Sequence, residues 1–259
     1  MQGVSFPYTA FDFIQKLNEH KPLLITGLLL PEIMPVENWA AYSAASAGNL
    51  KDPSIAANTK IFEEKCKAAK MAHRLHRGTT DLDLPQVIEE TKFADLLVAS
   101  DSAFFTEGNE TAGEMLQHAV HRAHCPVLVV PENSQYPQQL MLAYDGSHSA
   151  MFAIKQFAYL LPEMCHLPTT IVYENDFLDL NIPEKEYATE WINEYFPNNN
   201  FMSLDYEAAV FFRSKAALKP TLVVTGSFGR SGLSQWLQPS FSSELFAQHG
   251  LLLFTAHSG

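Results

Sequence analysis

From Gln139 to the C-terminus, short runs that are apolar throughout alternate with stretches whose apolar residues recur at every third or fourth position. The first pattern is that of a buried strand, the second that of an amphipathic helix. Together they predict strand 139–144, helix 147–161, strand 168–174, helix 184–196, strand 200–205, helix 207–218, strand 221–225, helix 240–248 and strand 251–255. Strands with no polar face belong in a parallel sheet covered on both sides, so the fold class is α/β. In the N-terminal half, helical periodicity runs through Gly3–Leu17. Apolar strands are predicted at Leu23–Leu29, Ala94–Ala99 and Pro126–Val130, and a helix over Ile55–Lys70.

The two halves repeat one unit. Gly3–Leu17 aligns with Gly146–Leu160 at a shift of 143, whereas Ala94–Ala99 and Pro126–Val130 align with Pro220–Thr225 and Leu251–Thr255 at shifts close to 126. The difference places some 17 extra residues in the first half, in the Ala/Ser-rich stretch Asn38–Asn49. The polar, proline-bracketed segment Pro131–Pro137 separates the halves, giving domains 1–133 and 138–259. By the 143-residue shift, the counterpart of strand 139–144 falls before Met1. That strand is central in a doubly wound sheet and its loss would leave its two neighbours without a partner, so the polypeptide is expected to start upstream or another segment to fill the gap.

Candidate chemistry is concentrated after the strand Leu222–Val224. There the chain opens into Gly226-Ser-Phe-Gly229-Arg-Ser-Gly232 and then a serine-rich helix start, Ser240-Phe-Ser242-Ser243. Glycines let backbone N–H groups converge on an anion, and a following helix N-terminus adds its positive dipole. Neither the dinucleotide fingerprint nor the P-loop fits this spacing. A turn that merely joins strand to helix uses the same glycines.

The spacing Gly226-x-x-Gly229, nine residues, then Pro239-Ser240 resembles the nucleotide loop of the universal stress protein family. Tyr144-Asp-Gly-Ser147 and Cys125-Pro-Val-Leu-Val-Val130 are similar to that family's first-strand and last-strand signatures. The resemblance covers nearly the whole chain. It implies two tandem five-stranded parallel sheets of order 3-2-1-4-5 and an adenine nucleotide, ATP with its Mg²⁺, in the C-terminal half. It also implies a site built from Ala143, Tyr144, Asp145, Val172, Gly226, Ser227, Gly229, Arg230, Ser240, Phe241 and Ser242. Asp145 would approach adenine or ribose, Val172 would line the base pocket, and the glycine loop would take the phosphates. The last strands, Val127–Val130 and Leu251–Phe254, would pair across a two-fold axis within one chain, and a homodimer is compatible with that arrangement. One position departs from the pattern: Pro239 stands where the family has glycine, and it offers no N–H to a phosphate.

Each of these residues also has a plainer role. Asp145-Gly146-Ser147 suits a turn and helix cap, Arg230 a solvated loop charge, and Ser240, Ser242 and Ser243 simple capping. Opposite Gly226–Gly229 the first half carries Ser100-Asp-Ser-Ala103, whose Asp101 repels phosphate, so one nucleotide per chain is expected.

Composition narrows the classes further. The 259 residues are 47% hydrophobic and 18% charged, with net charge −12, which disfavours general nucleic-acid binding. Cys66, Cys125 and Cys165 are odd in number and widely spaced, as in a reduced cytosolic protein, and no apolar run reaches membrane-spanning length. His118, His121 and His124 recur at helical spacing before Cys125, but Pro126 ends any helix there and displaces the third ligand, so no metal is expected. His73 and His76 share a face poorly. Asp145, Ser147 and His148 lack the segment separation and nucleophile elbow of a hydrolytic triad. The expected function is a cytosolic stress-response protein that binds a nucleotide in a regulatory, non-enzymatic role. A nucleotide-free scaffold of the same fold and an adenylating enzyme are the rivals.

Overall fold

The computed structural model describes residues 6–29, 53–77, 84–100, 122–174, 184–204, 219–226 and 250–257. The strands are β1 (Leu24–Leu29), β2 (Ala72–Arg77), β3 (Leu97–Ser100), β4 (Val127–Val130), β5 (Gln139–Tyr144), β6 (Thr169–Glu174), β7 (Asn199–Leu204), β8 (Thr221–Gly226) and β9 (Leu252–Ala256). The helices are α1 (Tyr8–His20), α2 (Pro53–Ala68), α3 (Leu84–Thr91), α4 (His148–Leu160) and α5 (Lys185–Tyr195). The predicted helices 207–218 and 240–248 lie outside the described residues.

Seven strands form one sheet in the order β3-β4-β9-β8-β5-β6-β7. Counted along the C-terminal half, β7-β6-β5-β8-β9 is the order 3-2-1-4-5, with every pair parallel. The antiparallel pair is β4 with β9, in the register Val127↔Thr255, Leu128↔Phe254 and Val129↔Leu253. These are the two segments that the resemblance brings together.

Helices α4 and α5 cover one face of this sheet through a close-packed layer. Phe157 of α4, fully buried, packs at 6.4 Å on Phe196 and edge-on at 5.3 Å against Phe254 of β9. Ala150, Ala153 and Ala158 carry no side chain beyond Cβ, which lets α4 sit low on β8 and β9. The opposite face carries a smaller cluster of Ala123, Val127, Val129, Val223, Leu251 and Leu253.

The N-terminal half is divided. β1 and β2 form their own two-stranded parallel sheet, and among the described residues no strand pairs with the free edge of either β1 or β3. Helix α1 links the two pieces by using two faces. Ala10, Phe13 and Leu17 join the core shared with β4, while Phe11 joins Phe6, Phe62, Cys66 and Met71 above β1 and β2. Lys65 of α2 reaches Asp12 of α1 at 3.4 Å. After β4 the segment 131–138 is tied back to α1: Thr9 Oγ1 donates to the Glu132 carbonyl, and Tyr136 packs at 5.2 Å on Phe13.

One predicted boundary shifts. The strand expected at Ala94–Ala99 begins at Leu97, because the ladder opens where the Leu97 N–H donates to the Pro126 carbonyl at 2.9 Å. Strand β2 carries His73 and His76, which three-residue spacing in a strand sends to opposite faces. His76 Nδ1 lies 2.6 Å from Glu90 Oε1 and His73 Nδ1 lies 3.1 Å from the Met71 carbonyl, so each has a structural partner.

Exposure follows pairing. All six residues of β8, flanked on both sides, are buried, whereas Leu97, Val98 and Ala99 of β3 are only half-buried. In native hydrogen exchange, the amides of β8 are expected to be protected at least ~100-fold more than those of β1 and β3, because opening the latter disrupts one ladder rather than two. Equal protection would show that β1 and β3 have a second partner in solution. Phe157→Ala is expected to cost about 3–5 kcal/mol in denaturant unfolding.

Candidate functional site

The order of strands reverses between β5 and β8, and ligands in open α/β sheets bind past the carboxyl ends of strands at that reversal. Three backbone features converge there. β5 ends at Tyr144 and the chain turns through Asp145-Gly146-Ser147. Gly146 adopts φ +77°, a conformation open to glycine at little cost. Asp145 Oδ1 accepts the Ser147 N–H at 2.9 Å, and Ser147 Oγ accepts the Ala150 N–H at 3.1 Å. The turn and the N-cap of α4 are thus one hydrogen-bonded unit.

β8 ends opposite this cap at Gly226. A Cβ on Gly226 would lie 2.7 Å from the Ser149 carbonyl carbon and 2.8 Å from the Ala150 backbone nitrogen. The glycine is therefore required for the first turn of α4 to rest on the strand end. The Gly226 carbonyl accepts the Thr225 hydroxyl at 3.2 Å and the Thr255 hydroxyl at 3.5 Å, which ties this end of β8 to β9.

Of the residues expected to form the site, the structure brings Ala143, Tyr144, Asp145, Val172 and Gly226 to this edge. Ala143 and Val172 are register partners on neighbouring strands, 7% and 2% exposed, on the face turned away from α4. Tyr144 points the other way, into the core beneath α4, and does not line a pocket with them. Burial raises its phenol pKa, helped by the negative charges of Glu184 and Asp145. Ser227, Gly229, Arg230, Ser240, Phe241 and Ser242 lie outside the described residues. Glu184, which begins α5 in a left-handed conformation with φ +49°, is a carboxylate at this edge that sequence reasoning missed.

Elsewhere the chemistry is structural. Burial pushes the thiols up to about 11 for Cys125 and about 12 for Cys165, so both stay protonated and unreactive near neutrality. The Ser147 hydroxyl is engaged as a cap, and the ring of the exposed His148 lies 6.3 Å from Phe152 rather than serving a triad. Among the described residues no group of three or more His, Cys, Asp or Glu side chains is placed to hold a metal, and His118 and His121 fall outside them. No described helix is long and apolar enough to cross a membrane.

A doubly wound sheet with this order, a capped helix over the switch point and a partner sheet joined through its last strand defines a class of fold. Solved structures share it. The chain matches a universal stress protein from Archaeoglobus fulgidus DSM 4304 with a TM-score of 0.64, at 12% identity, over 100% of this chain and 94% of that one. It matches a putative universal stress protein from Pseudomonas aeruginosa UCBPP-PA14 with a TM-score of 0.53, at 12% identity, over 92% and 94% of the two chains. The cytoplasmic domain of a prokaryotic cation chloride cotransporter matches with a TM-score of 0.50, at 12% identity, over 97% and 92%. No protein-family model matches the sequence, and no curated protein matches it. The chain therefore has the universal stress protein fold.

Two outcomes test the edge as described. Gly226→Ala is expected to lose about 1–3 kcal/mol, because the added methyl meets backbone that cannot rotate away, while Ser147→Ala loses about 1 kcal/mol with the cap. Chemical denaturation of both variants checks the ranking. Stability is also expected to fall as pH rises through about 9 toward 12. Over that range the unfolded chain releases the protons of Cys125 and Cys165 and the folded chain keeps them. Denaturant midpoints measured against pH should flatten in Cys165→Ala.

Proposed function

We propose that residues 138–259 bind an adenine nucleotide, ATP with Mg²⁺, and that residues 1–133 serve as a structural partner, in a cytosolic stress-linked protein that regulates rather than catalyses. The observation that carries this reading is the meeting of the Asp145 turn and Gly226 at the reversal of strand order, under the capped start of α4. A carboxylate has about four lone-pair sites, so Asp145 can hold Ser147 and still accept a ribose hydroxyl. The base would lie toward Ala143 and Val172, and the phosphates toward Ser227, Gly229, Arg230 and Ser240–Ser242. The capping role of Ser147 favours binding over nucleophilic catalysis at this edge.

A second reading, a nucleotide-free scaffold, is favoured by the two carboxylates Asp145 and Glu184 at the same edge, which repel a polyphosphate, and by Pro239. Thermal unfolding with ATP, with AMP and without ligand separates the two. ATP at a hundredfold excess over its Kd is expected to stabilise the protein by about 2.7 kcal/mol, a rise of several degrees in Tm. Gly229→Asp should abolish the rise while leaving the unliganded Tm in place. No response of the wild type to either nucleotide would establish the scaffold, and turnover with an added acceptor would establish an adenylating enzyme.

A further inference from the structure

Six large apolar or aromatic side chains are exposed among the described residues, and three of them gather on one surface. Tyr159 of α4 and Tyr187 and Tyr195 of α5 are 51%, 77% and 36% exposed. Tyr159 and Tyr195 form a shelf with the half-buried Trp191, and helical spacing sets Tyr187 one turn before Trp191 on the same face. Trp191 and Tyr195 stack at 4.2 Å with planes 17° apart, and Tyr159 stands edge-on to them at 6.3 Å and 5.8 Å.

The helical spacing is regular. Tyr187, Trp191 and Tyr195 follow each other at four-residue steps, and Glu186, Glu190 and Glu194, all exposed, run beside them at the same steps. Four residues of helix rise about 6 Å, so the aromatic row and the carboxylate row share that pitch. Alternate residues of an extended peptide lie about 6.6 Å apart, which matches it. Aromatic faces and carboxylates both attract cations, and at the Tyr159 and Tyr195 end of the row the final turns of α4 and α5 add the negative ends of their helix dipoles. Lys155, one turn before Tyr159, supplies one opposing charge.

We propose that this shelf docks an extended basic segment of a partner protein, with arginine or lysine at alternate positions. Its cations lie over the Tyr187, Trp191 and Tyr195 row and pair with Glu186, Glu190 and Glu194. The proposal is independent of the nucleotide site.

The test is fluorescence anisotropy of a labelled peptide alternating arginine and serine, against the same peptide with citrulline, which keeps the shape and removes the charge. The arginine peptide should bind, and the citrulline peptide should bind at least ~10-fold more weakly. The double variant Tyr187→Ala/Tyr195→Ala should weaken binding about 5- to 10-fold, and Glu186→Gln/Glu190→Gln/Glu194→Gln by a similar factor. These side chains are exposed, so circular dichroism should show an unchanged fold. Absence of binding would overturn the proposal. Undiminished binding to the tyrosine variant would also do so, by showing nonspecific attraction to an acidic protein. Equal affinity for the citrulline peptide, or sedimentation data placing the shelf between two copies of the chain, would overturn it as well.

Discussion

Strands added outward from a sheet leave a last edge whose backbone donors and acceptors face water, and here β4 and β9 each close the other's edge. The pairing carries the hydrophobic layer across the seam: Leu128 and Val130 on one side belong to the same cluster as Leu252 and Phe254 on the other. Helices α1 and α4, far apart in sequence, are consequently drawn onto one face over a common core. The position of α4, and so of the edge where β5 and β8 diverge, depends on this seam.

The two halves then differ in what holds their middle. In the C-terminal half, β5 is hydrogen-bonded on both sides, to β6 and to β8, and the register of the whole sheet is set by directional bonds. In the N-terminal half the β1–β2 sheet is joined to β3 through packing, with Phe11 of α1 on one side and Phe13 and Leu17 on the other. Apolar contact is nondirectional, so it fixes proximity more firmly than register. That difference accounts for the exposure of Leu24 and Thr26 in β1, where the corresponding strand β6 buries Thr169, Ile171 and Val172.

The strands of the C-terminal half were legible because both their faces are covered: a run such as Leu222-Val-Val224 has one physical solution. Strand β2 was not, since Ala72-His-Arg-Leu-His-Arg77 pairs only with β1 and carries polar residues that a continuous apolar pattern excludes. At the candidate site, Asp145-Gly-Ser147 was readable as a turn and a cap because both are local. The need for glycine at 226 has a cause that local sequence cannot show, since it arises from the first turn of a helix more than 70 residues earlier. The inward rotation of Tyr144 likewise follows from strand alternation relative to a core that only the folded sheet defines.

Helices α4 and α5 both begin at the carboxyl edge of the sheet, near Ser147 and Glu184, and end at its amino edge, near Tyr159 and Tyr195. A right-handed βαβ crossover imposes this direction on each of them. Their positive ends therefore face the edge where β5 and β8 diverge, and their negative ends face Tyr159 and Tyr195, while the row Glu186, Glu190 and Glu194 runs the length of α5 between the two. A chain of net charge −12 can in this way hold a positive helix end at one edge of its sheet and a negative helix end about 16 Å further along the same helix, set by fold direction rather than by overall charge.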